Sequence, residues 1–511
     1  MAISSILRIA VLFFAVGFSA CGHSEFDSAI SVQLMYPASA SSASLTAVDA
    51  EGVESIEGAE NQPGFQYAPA LHNTASASYQ RDSSNRILIR VLGPGFHPIE
   101  AWFERSEGRG VIRGVPPGTR ISVEVDEYDS DAAFLGTNAR LLGRGWARGI
   151  TLSAGEDKTV EVAMYAKGTI VTIFGAKAVG GKGTSGDSGD GGLSHDARTR
   201  NPSAVKAGPD GSIYVSSSSN GRVKRIDRFG YVSNFAGNGR FDAIDVSNIA
   251  GVDASSVSAG FVYDIDIDPF GNIYLLTHLG QIIKVSAAGK ILGAMHNDVL
   301  INPVGWRWFN FAVVNSNLLY FVSDLDSRVY RIEDYNKSDY VRNGTPYSPT
   351  EPFNRLFYPI REPSGITYAS KSDSLIFADT GNNRIMELSL SDDRIRYVVA
   401  DDVGKRSFSE GVSPLSMAPV NPRVVEYNHI TGKIFFVEEN SKSSSVRYIT
   451  PDNVVRTFAG TGEIGFSGDG GPAPDAQLYD PRGVTVDSRG NAYIADYGNH
   501  AVRKVVGGAL P

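Results

Sequence analysis

The sequence predicts an all-β protein, a six-bladed β-propeller preceded by a small β-sandwich. Three observations predict it. A strand–turn–strand–turn–strand phrase recurs down the last two-thirds of the chain and is most complete from Asp480 to Val505. Glycine is abundant at 55, and Tyr and Phe number 22 and 25, as suits a turn-rich, aromatic-packed β protein. At 511 residues the chain is too long for one core, so at least two domains are expected.

The domains are expected at 1–20 (a secretory signal), 21–84 (a tether), 85–166 (the small β domain) and 167–511 (the propeller). A short apolar run from Ile9 to Phe18 follows Arg8. It is too short for a bilayer span, which needs ~20 residues, and reads as a signal peptide. Residues 37–64 are rich in Ser, Ala and Glu and cannot bury much apolar surface, so they read as a spacer. Ahead of it, Ile30 to Tyr36 alternates like an early strand. In the small domain, strands are expected at Arg86–Leu92, Gly110–Val115, Arg120–Val125, Arg144–Ile150 and Lys158–Met164, with turns at Pro116–Thr119 and Ser153–Asp157. The plainest role for this domain is to lift the propeller off a membrane.

In the propeller, innermost strands are expected to start near Pro202, Val262, Phe309, Pro363, Pro422 and Pro481, which makes six units. Their average length somewhat exceeds the ~40–50 residues of ordinary blades. Thr169–Gly175 resembles the outer strand Val455–Gly460, and no outer strand follows Val505. The early strand is therefore expected to complete the last blade, closing the ring without a free edge.

Net charge is −9, from 47 Lys and Arg against 56 Asp and Glu. With no basic cluster, that argues against a nucleic-acid partner. One cysteine, Cys21, excludes a disulfide within the chain.

The channel-lining strands carry the candidate site. After each blade's opening position stand Ser203, Tyr263, Asn310, Ser364, Arg423 and Arg482, and three positions deeper Lys206, Asp266, Val313, Thr367, Glu426 and Thr485. Buried carboxylates need a partner or a cation. Asp264, Asp266 and Glu426 are therefore either satisfied, with Lys206 as a partner, or ligands of a divalent ion such as Ca²⁺ or Mg²⁺. The candidate ligand-binding set is Lys206, Tyr263, Asp264, Asp266, Arg423, Glu426 and Arg482. Asp324, Asp379 and Asp496 repeat at one blade position and read as turn and inter-blade pairs. The acidic glycine loops at 186–192 and 467–471 lack EF-hand spacing and read as turns. Trp306 and Trp308 read as packing. The propeller histidines His195, His278, His296, His429 and His500 occupy unrelated positions, which gives no zinc or catalytic cluster.

Three resemblances extend this reading. Gly17-Phe18-Ser19-Ala20-Cys21 resembles the lipobox of bacterial lipoproteins, with Phe18 where Leu is usual. The resemblance implies cleavage before Cys21, acylation of its thiol and new amino terminus, and anchoring in the cell envelope. Gly22 in place of Asp favours the outer membrane. Asp379-Thr380-Gly381-Asn382-Asn383-Arg384, the phrase from Asp480 to Val505, and Phe458–Gly471 resemble the NHL repeat family, over roughly Thr169 to Val505. The small domain resembles immunoglobulin-like or prealbumin-like sandwiches of envelope proteins. NHL propellers are mostly binding platforms. The resemblance implies a membrane-anchored binding or scaffolding module for an envelope protein or cell-wall glycan, with no cofactor. The alternative is a metal-dependent hydrolase or lyase with its site in the channel, as in some six-bladed relatives.

Overall fold

The computed structural model describes residues 28–35, 85–105, 109–129, 139–175, 185–242, 244, 249–296, 310–324, 327–333, 345–346, 360–400, 411, 413–414, 419, 421–440, 443–450 and 453–510. The expected signal, Cys21, the spacer and Trp306–Trp308 lie outside them.

The small domain is built from β1 (Ala29–Met35), β2 (Arg86–Leu92), β3 (Ile99–Glu104), β4 (Arg109–Arg113), β5 (Gly118–Tyr128), β6 (Leu141–Leu152) and β7 (Asp157–Ala166). Hydrogen bonds connect all seven into one sheet, ordered β3-β2-β5-β6-β7-β1-β4. The long strands β5 and β6 shift register three times, and such bulges bend a sheet. The sheet curls until Gly110 of β4 lies against Ile89 of β2 and Phe103 of β3. Its interior is aliphatic, with Val91, Val123, Val125 and Val162 all sealed from solvent.

One boundary is corrected here. The early strand assigned to the tether is β1, and it belongs to this sheet, parallel to β7 and antiparallel to β4. Two sealed aliphatic residues, Ile30 and Val32, hold it there.

After β8 (Ile170–Gly175), the propeller runs through six blades of four strands. Blade one is β9 (Pro202–Ala207), β10 (Ile213–Ser217), β11 (Arg222–Ile226) and β12 (Val232–Ala236); blade two is β13 (Val262–Ile267), β14 (Ile273–Thr277), β15 (Gln281–Val285) and β16 (Ile291–His296). Blade three is β17 (Asn310–Asn315), β18 (Leu318–Ser323), β19 (Arg328–Glu333) and β20 (Thr345–Pro346); blade four is β21 (Gly365–Ala369), β22 (Ser374–Asp379), β23 (Arg384–Ser389) and β24 (Ile395–Val399). Blade five is β25 (Pro422–Tyr427), β26 (Ile434–Asn440), β27 (Ser443–Ile449) and β28 (Val455–Gly462); blade six is β29 (Pro481–Val486), β30 (Ala492–Asp496) and β31 (Ala501–Val505), completed by β8. The expected closure is observed, with Val502 opposite Phe174 and Lys504 opposite Val171. Between blades the packing is aromatic and aliphatic, as where Phe435 and Phe458 of blade five share a core cluster with Val484 and Ile494 of blade six.

The innermost strands line the channel. They begin at what we term its upper end, which also carries the second-to-third-strand turns, and finish at its lower end. The small domain docks on the lower end of blades one and six through a buried charge network. Asp126, 1% exposed, accepts bonds from Arg144 Nε at 2.8 Å, Arg90 at 2.7 Å and Arg489 of blade six at 2.7 Å. Burial opposes its ionisation, yet Arg489, Arg144 and Arg90 together hold its carboxyl well below the usual range. Arg489 also reaches Glu124, and Arg144 donates to the Arg489 carbonyl and to Asn491. Beside this network Trp146 stacks on Tyr165 and faces Lys504, whose Nζ lies 4.0 Å from its ring centroid.

Candidate functional site

Strand alternation and ring symmetry decide which side chains reach the channel. Residues two apart on each innermost strand face the same way, so the deeper positions of six strands converge on one layer. There Lys206 Nζ lies 3.0 Å from Asp266 Oδ1 and 3.0 and 3.1 Å from the Glu426 oxygens. The Thr485 hydroxyl donates to Glu426 at 3.3 Å. A bridge of side chains thus crosses the channel from blade two through blade one to blades five and six. Burial acts to lower the Lys206 pKa, but Asp266 and then Glu426 override it and hold the ammonium charged. Two carboxylates share that one ammonium, and burial raises the Glu426 pKa.

One layer up, Asp264 accepts the Ile265 N–H at 2.8 Å and the Phe311 N–H at 3.1 Å. Burial, aided by the charge of Asp266, pushes its pKa up to about 8, so it is largely the neutral acid at pH 7. Asp266 also accepts the Val313 N–H at 2.6 Å. These carboxylates are therefore part of a circuit that staples each blade to the next. Ser203 donates to the Val262 carbonyl, and Asn310 accepts the Ile366 N–H. Thr367 accepts the Tyr427 N–H, and Thr485 accepts the Ala207 N–H.

Five of the seven candidates line a single cavity: Lys206, Asp264, Asp266, Glu426 and Arg482. It holds about 390 Å³ of atom-free space, part of it open to solvent. Tyr263 and Arg423 are not among its lining residues. Arg423 is half-buried, and its carbonyl accepts the Ser364 hydroxyl. Tyr263 is half-buried beside the mouth, and its pKa is raised by burial first and by neighbouring Tyr497 second. Arg482 pairs with Asp480 and lies flat on Tyr497, its Cζ 3.4 Å from the ring centroid.

As ligands of a divalent ion, Asp264, Asp266 and Glu426 are not brought together. The Lys206 ammonium stands between the last two, and among the described residues no three His, Cys, Asp or Glu side chains form a donor set. The histidines are dispersed. His278 and His500 accept the backbone N–H of Phe261 and Asn201, His429 bonds Ser370 at the lower end, and His195 is exposed beside Asp196.

The repeat residues do what the turns require. Asp379 accepts the Arg361 N–H and pairs with Arg384, and Asp496 accepts the Tyr479 N–H and pairs with Arg503. In the acidic loops Asp469 binds Arg503, while Asp187 and Asp190 bind Lys224. Sequence reasoning did not single out Arg489, Arg144 or Asp126. The one signal was Arg489 in a strand-connecting turn where blade two has the exposed Phe270.

The family profile described as NHL repeat matches residues 478–505, the stretch that supplies Tyr479, Arg482, Thr485, Asp496 and Arg503. The chain is an NHL-repeat β-propeller protein. Solved structures of similar fold include an auxiliary nutrient binding protein from Bacteroides ovatus, at 15% identity, TM-score 0.47, covering 83% of this chain and 92% of that one. They also include virginiamycin B lyase from Staphylococcus aureus, at 15% identity, TM-score 0.34, covering 59% and 78%. A gluconolactonase from Xanthomonas campestris matches at 11% identity, TM-score 0.37, covering 60% and 87%. Comparison with curated proteins returned no match. A propeller fold by itself does not choose between a binding protein and an enzyme.

Proposed function

We propose that this NHL-repeat protein is a binding module of the bacterial cell envelope. It is held by lipid on Cys21, and the upper mouth of its propeller takes an envelope protein or cell-wall glycan. The observation that carries this reading is the channel's chemistry. Lys206 is spent on Asp266 and Glu426, and the carboxylates accept inter-blade bonds, so no reactive pair is poised there. A metal-dependent hydrolase or lyase would need a donor set where Lys206 stands. The mouth offers recognition groups in the stacked pair Arg482–Tyr497 and the neighbouring phenol of Tyr263.

The small domain suits a spacer. Its first strand starts at the β6–β7 turn, where Ser28 bonds Ser153, beyond the part of β6 that touches the propeller. A chain rising from a membrane would enter there and leave the upper mouth pointing outward. Among the described residues no helix is long and apolar enough to cross a membrane.

The test is capture of envelope proteins and of purified sacculi by the soluble chain from Gly22, beside the double variant Tyr263→Ala/Arg482→Ala. Loss of capture in the folded variant is expected. Capture indifferent to both substitutions sinks the reading. Radiolabelled palmitate on Cys21, absent in Cys21→Ser, checks the anchor. One Ca²⁺ or Mg²⁺ bound per chain and lost in Asp266→Ala would instead favour the enzyme.

A further inference from the structure

The place of β1 decides how close to a membrane the small domain can sit. Because β1 belongs to the sheet, only residues 22–27 separate Cys21 from Ser28, the residue before it. Those seven Cα steps reach at most about 25 Å, at ~3.3–3.6 Å each. The point of entry is fixed. Ser28, fully buried, gives its hydroxyl to the Ser153 carbonyl at 3.0 Å and takes the Gly155 N–H on the same oxygen at 3.0 Å. Its carbonyl accepts the Val115 N–H at 3.2 Å. One serine thus ties the turns at 114–117 and 153–156 to the start of β1, and the turn at 93–98 closes the same end of the sheet. Resting on the acylation of Cys21 proposed above, we infer that this end of the small domain is a second membrane contact, its turns seated on the lipid headgroups beside the anchor.

The surface at this end suits such a seat. The turns at 93–98 and 114–117 carry no Asp, Glu, Lys or Arg, in a chain where one residue in five is charged. In the third turn Glu156 is engaged by the Ser153 N–H at 2.7 Å and by Lys158 at 3.5 Å. Arg113 and Asp157, the strand partners of Ala29 on either side, offset each other. Arg120 is turned away, its Cζ 4.2 Å from the Tyr231 ring centroid of blade one. The net charge of −9 therefore lies elsewhere, and an anionic lipid surface does not repel this end. Nor does the end insert. Phe96 folds back onto the aliphatic core and presses on Gly93, where a methyl would come within 2.2 Å of its ring. Among the described residues these turns expose no large apolar side chain. A contact with so little apolar area is weak by itself. The short leash supplies the effective concentration that keeps it formed.

The test uses the full-length acylated chain in vesicles of phosphatidylethanolamine and phosphatidylglycerol. Acylation leaves no free thiol, because Cys21 is the only cysteine. Ala154→Cys, Pro117→Cys and, at the upper end of the propeller, Ile464→Cys each take one nitrobenzoxadiazole dye, and all three positions are exposed. A nitroxide on the lipid headgroups is expected to quench the dye at the first two positions at least threefold more than at the third. Lengthening the leash by about twenty Gly and Ser residues after Ser24 should at least halve that gap. Equal quenching at the three positions on vesicle-bound protein overturns the inference, and so does a gap that the longer leash leaves unchanged. In both cases the anchor still stands, and with equal quenching this end faces water or another protein. Protein that does not stay on the vesicles, and carries no palmitate on Cys21, sinks the anchor and the inference with it.

Discussion

The Asp264 carboxyl makes the stability of the propeller depend on pH in a direction that a surface acid would not. Its ordinary pKa of 3.8 is pushed up to about 8 by burial, with Asp266 adding to the shift. Between those values the folded chain keeps a proton that the unfolded chain has released, so stability falls as pH rises across that window. A one-unit shift corresponds to about 1.4 kcal/mol. From pH 5 to pH 7 the full effect would be about 2.7 kcal/mol, and because the group opens toward channel water we expect about half of it. Asp496, pushed up to about 6 by burial against Arg503, adds to the fall over the same interval. Lys504 is depressed to about 7 by burial, and its opposite contribution develops mainly above pH 7, outside the chosen window. The perturbation is Asp264→Asn. It forfeits one acceptor for a backbone N–H, a constant cost of about 1 kcal/mol, and removes the proton. Urea unfolding of both proteins at pH 5, 6 and 7 separates the two effects, since the lost bond offsets the curve and the lost proton flattens it. The variant should lose about 1–1.5 kcal/mol less than the parent from pH 5 to pH 7. Parallel curves would refute the argument and show that Asp264 is ionised throughout.

Other consequences are open to measurement. Lys206→Met leaves two carboxylates facing each other in the channel and should cost about 3–5 kcal/mol in unfolding at pH 7, much of it recovered by adding Glu426→Gln. Arg489→Ala removes the propeller's cation from Asp126 while Arg90 and Arg144 remain. A cost of about 3 kcal/mol should appear as faster proteolysis between the domains and a larger radius in X-ray scattering. Gly365→Ala would place a methyl 2.4 Å from the Arg423 carbonyl of the next blade, so its thermal midpoint should fall although its backbone φ is ordinary. Phe435→Ala empties a fully buried site between blades and should cost about 3–5 kcal/mol in chemical unfolding.

The blades could be read from the sequence because each repeats a local signal. A proline or aliphatic start and an aspartate at the end of the second strand recur, and in the structure that aspartate pairs with an arginine of the third strand, as in Asp379–Arg384 and Asp496–Arg503. Closure could be read too, since β8 resembles an outer strand and blade six lacked one. The same local logic missed where β1 belongs. Its parallel partner β7 is more than a hundred residues away, and no turn joins them to leave a trace. It missed the docking network for a related reason, because Asp126 and Arg489 are each unremarkable in their own strand or turn and acquire meaning only together.

The channel falls between these cases. Register alone put Lys206, Asp264, Asp266 and Glu426 at inward positions, but register cannot say which charges meet. Three carboxylates on two channel-lining strands suit a cation equally well until the ammonium is placed. Once it stands between Asp266 and Glu426, the electrostatic need of both is met from within the chain, and an incoming ion would have to displace Lys206 rather than fill a gap. That displacement costs the desolvated pair first, so selectivity at this mouth falls to shape and hydrogen bonding. On the function proposed above, a glycan end or a polar loop of a partner protein would be recognised in this way, whereas a metal-activated water would need the ammonium's place.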